Sequence, residues 1–420
     1  MSFFHYINGA LHCEEINLTT VAAEVGTPVY VYSEGMIREN FRRFDNVFTS
    51  LDHMICYAVK ANSNLSILQL LAQEGAGFDI VSGGELFKVL KAGGRADRCT
   101  FAGVGKMAHE IEYALRQGIY CFNVESEQEL ELINAVASQL DCVAPIALRV
   151  NPDVDAPTHH YISTGKNKNK FGIGLDRAEA VYARAASLPH LKIRGFQTHI
   201  GSQILDAAPF AEAVHKLSPL VMKLHQQYVF EFFSIGGGIG IVYEGALAAG
   251  IQGQFTLEAY AAQIIEPLKK LGLRILFEPG RFIVGNTGVL LTTALYRKET
   301  PAKNFLIVDA GMNDLIRPAL YQGYHEIVPL QQTSDRPLEK IDIVGPVCES
   351  GDFFAQDRMM SRVEPGERLA LMSVGAYGFV MGSTYNARPM PPEVLVEKKT
   401  AAIVRRRQTW EDLVRGEVLS

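Results

Sequence analysis

Lys60 closes the apolar run that begins at Met54, and the chain then turns polar through Asn62, Ser63 and Asn64. A lysine at such an exit is either a solvated strand end or a nucleophile at the mouth of a site. Similar exits recur along the chain. One run leads to Asp79, Ser82 and Glu85, another to Arg149 and Asn151, and another to His199, Ser202 and Gln203. Two more end in Gly236-Gly237-Gly238-Ile239-Gly240 and in Glu278-Pro279-Gly280-Arg281. Clustered glycines let backbone N–H groups approach an anion, so residues 236–240 read as a phosphate cradle or as a tight strand-exit turn. The third glycine of a dinucleotide fingerprint would fall at Ile241, which points away from a nicotinamide cofactor. His199 has no histidine or cysteine neighbour at metal-ligand spacing, so no metal is expected. It is either a buried core ring or a flat partner for a cofactor ring. Glu278 is a general acid/base, a partner for a ring cation, or half of an ordinary ion pair with Arg281.

The elements that must position these residues alternate. Short β-rich runs cover residues 55–59, 78–81, 100–102, 121–124, 146–150, 193–199, 232–235 and 275–277. Helical stretches at 34–50, 65–74, 84–92, 108–117, 127–138, 177–187, 209–227 and 257–271 accompany them, the first with Ser33 as a possible N-cap. Alternating β and α units imply a parallel sheet, and eight strands imply a closed (β/α)8 TIM barrel, with an open doubly wound sheet as the alternative. Past residue 285 strand-like runs follow one another without long helices, so a mostly β domain is expected. The division expected is a barrel over 28–285 and a β domain of 1–27 with 286–420. Barrels of this kind carry their chemistry at the C-terminal ends of the strands, where Lys60, Asp79, Arg149, His199 and Glu278 all stand.

The β domain holds further candidates. Cys348 lies between Pro346 and Gly351, beside Glu349 and Asp352, acidic neighbours that would keep it a thiol suited to donating a proton; a small buried hydrophobe is the alternative. Arg317 and Tyr321 are four apart, one helical turn, and either grip a carboxylate or face solvent. Tyr377 sits between glycine-flanked positions and is either a phosphate ligand or a core tyrosine. A lysine nucleophile, a glycine cradle, an acid able to keep a ring nitrogen protonated and a stacking histidine together fit pyridoxal 5'-phosphate.

Composition narrows the class. The 420 residues carry a net charge of −6, and a pI near 6.0 argues against nucleic-acid binding. No apolar run approaches the ~20 residues of a membrane span. The N-terminus lacks a secretory pattern, and six scattered cysteines suggest reduced thiols, so a cytoplasmic location is expected. Residues 166–170 read as a mobile basic loop.

Six motifs, in order, resemble the fold-type III pyridoxal-phosphate decarboxylases: Tyr57 to Asn62, His199 to Gln203, Gly236 to Gly238, Glu278 to Arg281, Cys348 to Asp352 and Ala376 to Gly378. The resemblance runs over nearly the whole chain. It implies an alanine-racemase-type barrel with a β domain, and a homodimer with active sites at the subunit interface. By resemblance Lys60 binds the cofactor as a Schiff base, His199 stacks on its ring and Glu278 faces the ring nitrogen. Ser202, Gly238, Gly280 and Tyr377 surround its phosphate. Arg281, Arg317, Tyr321 and Glu349 would grip the substrate, Arg317 on the distal carboxylate, and Cys348 would reach into the partner's site. Residues 166–170 would close over the site. The implied reaction is decarboxylation of meso-2,6-diaminopimelate to L-lysine and CO2. Relatives acting on carboxynorspermidine, D-ornithine or D-lysine, ornithine, lysine or arginine, a racemase, and a non-catalytic binder on the same fold are the other readings.

Overall fold

The computed structural model describes residues 3–154, 170–249 and 256–419; residues 166–169 of the expected basic loop lie outside them. The chain forms two compact units. One comprises Met1–Glu39, Val242–Gly253 and Val284–Ser420, the other Asn40–Ile241 and Gln254–Ile283.

The second unit is a ring of eight parallel strands: His53–Ala58, Gly77–Ile80, Cys99–Phe101, Cys121–Val124, Ala144–Asn151, Leu191–Gln197, Phe232–Gly236 and Arg274–Phe277. Each pairs with the next, and the eighth pairs back on the first through Ile275 opposite His53 and Phe277 opposite Ile55. The ring is closed, so it is a barrel and not an open sheet. Seven of the strands have nearly every residue buried, as strands do when helices cover the outside and side chains fill the inside. The helices begin where short polar side chains can cap them. Asn64, Ser82, Ser126 and Thr256 each accept a first-turn backbone N–H.

Successive residues of a strand face opposite ways, so every second residue points into the barrel. One inward set is apolar and forms the floor: Met54, Cys56, Cys121, Ala147, Phe232 and Leu276 pack in one cluster. Two residues further along the same faces the character changes. Cys121 is followed by Asn123 and Glu125, Ala147 by Arg149, Phe232 by Ser234 and Gly236, and Leu276 by Glu278. The candidate residues are thus the top layers of a column whose base is hydrophobic.

The other unit is a mostly β structure built on a nine-stranded mixed sheet. Gly288–Glu299 is central, pairing with Val29–Ser33, Asn304–Val308 and Arg368–Leu371. Val29–Ser33, which the expected division places with the barrel, belongs to this sheet, lying between Gly288–Glu299 and Glu393–Glu397. All five of its residues are buried, so it reads alike in either sheet. Among the strand-like runs past residue 285, residues 393–405 form a hairpin, Glu393–Glu397 and Thr400–Arg405, turned at Lys398 with φ of 50°. Near the N-terminus Phe4, Leu11, Leu18 and Val21 join one core with Val29, Val289 and Leu291.

Candidate active site

Lys60 stands one residue into a single 3-10 turn, Val59–Ala61, that follows the first strand; the strand ends at Ala58, one residue short of the sequence expectation. The turn is held by Tyr57, whose hydroxyl donates to the Asn62 carbonyl at 3.0 Å, and by Asn62, whose side chain accepts the Asn64 N–H. Nζ of Lys60 lies 2.9 Å from Oδ2 of Asp79, at the end of the neighbouring strand. The lysine side chain is 39% exposed and the aspartate 1%. The amine therefore faces the open side with a buried carboxylate behind it, and the other oxygen, Oδ1, has no hydrogen-bond partner.

Glu278 is buried above the apolar floor. Its Oε1 accepts from Ser234 Oγ at 2.7 Å and Asn123 Nδ2 at 3.5 Å, and its Oε2 from Gln197 Nε2 at 3.0 Å. Burial pushes this carboxyl up to about 7, and Asp79 adds to the rise, while Ser234, Lys60 and Gln197 oppose it. The group can therefore hold or release a proton near neutrality.

His199 lies two residues beyond the sixth strand. Its Nδ1 accepts the Gly237 N–H at 3.2 Å, so a proton on the neutral ring sits on Nε2. Burial, then Arg149 and Lys60, hold its pKa well below the usual histidine range, so the ring is neutral. The glycine turn is laced to the loop that carries His199. Ile204 N–H donates to Gly238 O, Gly240 N–H donates to Ile204 O, and the Gln203 side chain clasps Ile241, donating to its carbonyl at 2.7 Å and accepting its N–H at 3.2 Å. Gly238 has φ of +111°, and a Cβ there would stand 2.5 Å from the Gly201 carbonyl, so no side chain fits. Gly280 is also closely packed, its would-be Cβ 2.9 Å from Ala61 and 3.0 Å from Ala58. Arg281 donates to Ser202 Oγ at 3.2 Å. Lys60, Asp79, His199, Ser202, Gly237, Gly238, Glu278, Gly280 and Arg281 are thus the ends of strands one, two, six, seven and eight.

Arg149, on the fifth strand, is held by Glu125 at 3.0 Å. Glu125 also accepts the N–H groups of Gly103 and Gly172. Lys106, buried, donates to Glu129 and to the carbonyls of Gly103 and Asn123.

The remaining candidates lie in the β unit. Arg317 and Tyr321 open and close one short helix, Arg317–Tyr321, as their spacing implied; Arg317 is buried and Tyr321 half-buried. Cys348 and Glu349 sit exposed on a turn, which removes the reading of Cys348 as a buried hydrophobe. Asn386 accepts the Cys348 N–H at 2.8 Å. Asp352 organises the turn from within, accepting the N–H groups of Met312 and Val347 at 2.6 Å each. Tyr377 is half-buried with φ of 56°.

Residues 34–285 match the family described as pyridoxal-dependent decarboxylase, pyridoxal binding domain. The chain is 48% identical to a diaminopimelate decarboxylase of Pseudomonas aeruginosa over 100% of its own length and 99% of that protein's. The chain belongs to the pyridoxal-dependent decarboxylases. Among solved structures it superposes on diaminopimelate decarboxylase from Helicobacter pylori complexed with L-lysine, with TM-score 0.90, 42% identity and coverage of 95% and 98% of the two chains. A second, from M. jannaschii in co-complex with L-lysine, gives TM-score 0.92, 36% identity and coverage of 99% and 98%.

The decarboxylase fold thereby gains a cofactor, pyridoxal phosphate, and an alanine-racemase type for its barrel. The residues present fit that group. The mouth offers a lysine amine, a glycine turn with no room for side chains, a neutral imidazole and a titratable buried acid. Asp79 Oδ1, Asn123 Oδ1 and Gln197 Oε1 are buried without hydrogen-bond partners, consistent with a polar ligand above them. The sequence reading missed Asn123, Gln197 and Ser234 around Glu278. The available signal was a polar residue two positions before a strand-exit residue: Asn123 before Glu125, Gln197 before His199 and Ser234 before Gly236. It also missed Glu125, which follows the fourth strand as Lys60 follows the first. Among the described residues, no group of three or more His, Cys, Asp or Glu could hold a metal ion, and no helix is long and apolar enough to cross a membrane.

Proposed function

We propose that the chain decarboxylates meso-2,6-diaminopimelate to L-lysine and CO2, the last step of lysine biosynthesis, with pyridoxal phosphate held in the barrel mouth. The observation that carries this is near-full-length identity of 48% to a diaminopimelate decarboxylase in a chain whose Lys60 amine rests on Asp79. Pyridoxal phosphate, when bound, supplies an electron sink for the pair left by departing CO2. Lys60 would hold it covalently and Asp79 would orient the lysine amine. Glu278 would keep its pyridine nitrogen protonated, His199 would take the flat face, and Arg149 would border the ring. Ser202, Gly237, Gly238, Gly280, Arg281 and Tyr377 would take the phosphate.

Arg281, Arg317, Tyr321, Glu349 and Tyr377 bind the substrate in this reading, with Arg317 on the carboxylate that is retained. A second carboxylate suits an arginine, whereas a diamine substrate would call for an acid. Cys348, supplied from a second copy of the chain in a homodimer, delivers a proton from Sγ to the carbon that lost CO2, or Lys60 delivers it from Nζ. The enzyme works in the cytoplasm. The test is CO2 release from diaminopimelate, carboxynorspermidine, ornithine, lysine and arginine, with Lys60→Ala as control. Release from diaminopimelate alone is expected. Turnover of ornithine without turnover of diaminopimelate would sink the proposal.

A further inference from the structure

Arg317 is held by a group that the function above does not use. Its Nη1 lies 2.9 Å from Nε2 of His325, and His325 Nδ1 lies 2.8 Å from the Met372 carbonyl oxygen. A carbonyl only accepts, so Nδ1 carries a proton; a guanidinium only donates, so Nε2 must accept. Both contacts are met together by one state of the ring, the neutral Nδ1–H tautomer. His325 is fully buried, and Arg358 donates to its carbonyl at 3.2 Å.

Tyr243 completes the arrangement. The Arg317 guanidinium carbon is 4.7 Å from the centre of the Tyr243 ring. The same ring meets His325 edge-on, at 5.4 Å and 83°. Tyr243 lies in the Val242–Gly253 segment, which leaves the barrel sequence to join the β unit. Asn286 donates to the Val242 carbonyl and Glu326 accepts the Leu247 N–H, anchoring that segment. Arg317 thus meets both rings, and the two rings meet each other.

We propose that His325 is a positioning residue that aims Arg317 at the retained carboxylate of the substrate and so sets preference for a substrate carrying that carboxylate. The proposal rests on the reading of Arg317 given above. A carboxylate in the place of His325 would orient the arginine equally well, but it would offset the charge that the substrate must meet. A neutral imidazole takes one N–H and adds no charge.

The experiment uses the pyridoxal-phosphate-loaded enzyme and two competitive ligands, L-lysine and 1,5-diaminopentane. They share a chain and differ by the carboxylate. His325→Phe should weaken inhibition by L-lysine about tenfold, the scale of one charge-assisted hydrogen bond, and leave that by 1,5-diaminopentane within about twofold. His325→Gln, which keeps an acceptor, should recover most of the loss. His325→Asp also keeps an acceptor but should bind L-lysine worse than His325→Gln. A residue that merely fills space would shift both ligands together, or change only the melting temperature. Either result, or equal behaviour of the Gln and Asp variants, overturns the proposal. Arg317→Ala separates the two levels. If it leaves L-lysine inhibition unchanged, the reading of Arg317 fails and takes this inference with it. If it weakens L-lysine while His325→Phe does not, this inference alone fails.

Discussion

Glu278 in the barrel and Arg317 in the β unit are both buried ionisable groups, 6% and 7% exposed, and the two units hold them differently. Around Glu278 stand neutral donors, Ser234, Gln197 and Asn123, and the charged Asp79 acts on it through space. Burial makes its charge expensive, so the proton stays until about pH 7. Arg317 has His325 beside it, which fixes where the guanidinium points. One surrounding tunes whether a charge exists, as suits a partner for a ring nitrogen. The other tunes only its direction, as suits a group that must attract a carboxylate. In the proposed function the barrel mouth would serve the cofactor, and the β unit the substrate and its proton.

That division can be broken from either side. The largest effect is expected in the β unit. Cys348→Ala should lower turnover by about 10²- to 10⁴-fold, the usual range for a lost proton donor, while cofactor binding followed by visible absorbance stays unchanged. Unaltered turnover would remove Cys348 from the chemistry. The opposite pattern is expected from Gln203, whose side chain clasps the glycine turn at Ile241. Gln203→Ala loses two hydrogen bonds of about 1 kcal/mol each, so affinity for pyridoxal phosphate should fall about thirtyfold. Affinity for pyridoxal, which lacks the phosphate, should not change. Equal weakening of both ligands would mean that the clasp supports the barrel in general and not the cradle.

The smallest effect concerns Glu278 in the cofactor-free protein. Its pKa is raised on folding, from 4.5 to about 7. The folded state therefore binds the proton more tightly than the unfolded chain does. Stability from this source is fully present below about pH 4.5 and is lost as pH rises through about 7. Relative to Glu278→Gln, the wild-type protein should lose on the order of 2 kcal/mol between about pH 5 and pH 8. Denaturant midpoints of the two proteins across that range would check it; parallel curves would show that burial does not tune this group.

The barrel was legible because its signals are local. Apolar runs end in glycine or polar residues eight times, and Ser33 does cap the helix Glu34–Val47, accepting the Met36 N–H at 3.0 Å. The rim residues were legible because in such a barrel the chemistry stands at strand ends. The layer beneath them was not. Asn123 and Ser234 sit inside strands, and Gln197 at the end of one, that otherwise look like core, and the strand pairing around the barrel brings them onto Glu278. Val29–Ser33 could not be assigned because five buried residues carry no mark of which sheet they enter. His325 gave no signal because its partners, at positions 243, 317 and 372, are brought together by tertiary packing alone.

Ring closure also has a bearing on biosynthesis of the chain. Lys60 follows the first strand and Glu278 the last, and these two strands are neighbours only through the contact of Arg274–Phe277 with His53–Ala58. A nascent chain released before the eighth strand emerges carries the lysine, the histidine and the glycine turn but not the acid. In the proposed function, vitamin B6 captured by such a fragment would lack the acid that keeps its ring nitrogen protonated. In that reading the last strand of this barrel to leave the ribosome is also the one that completes the site.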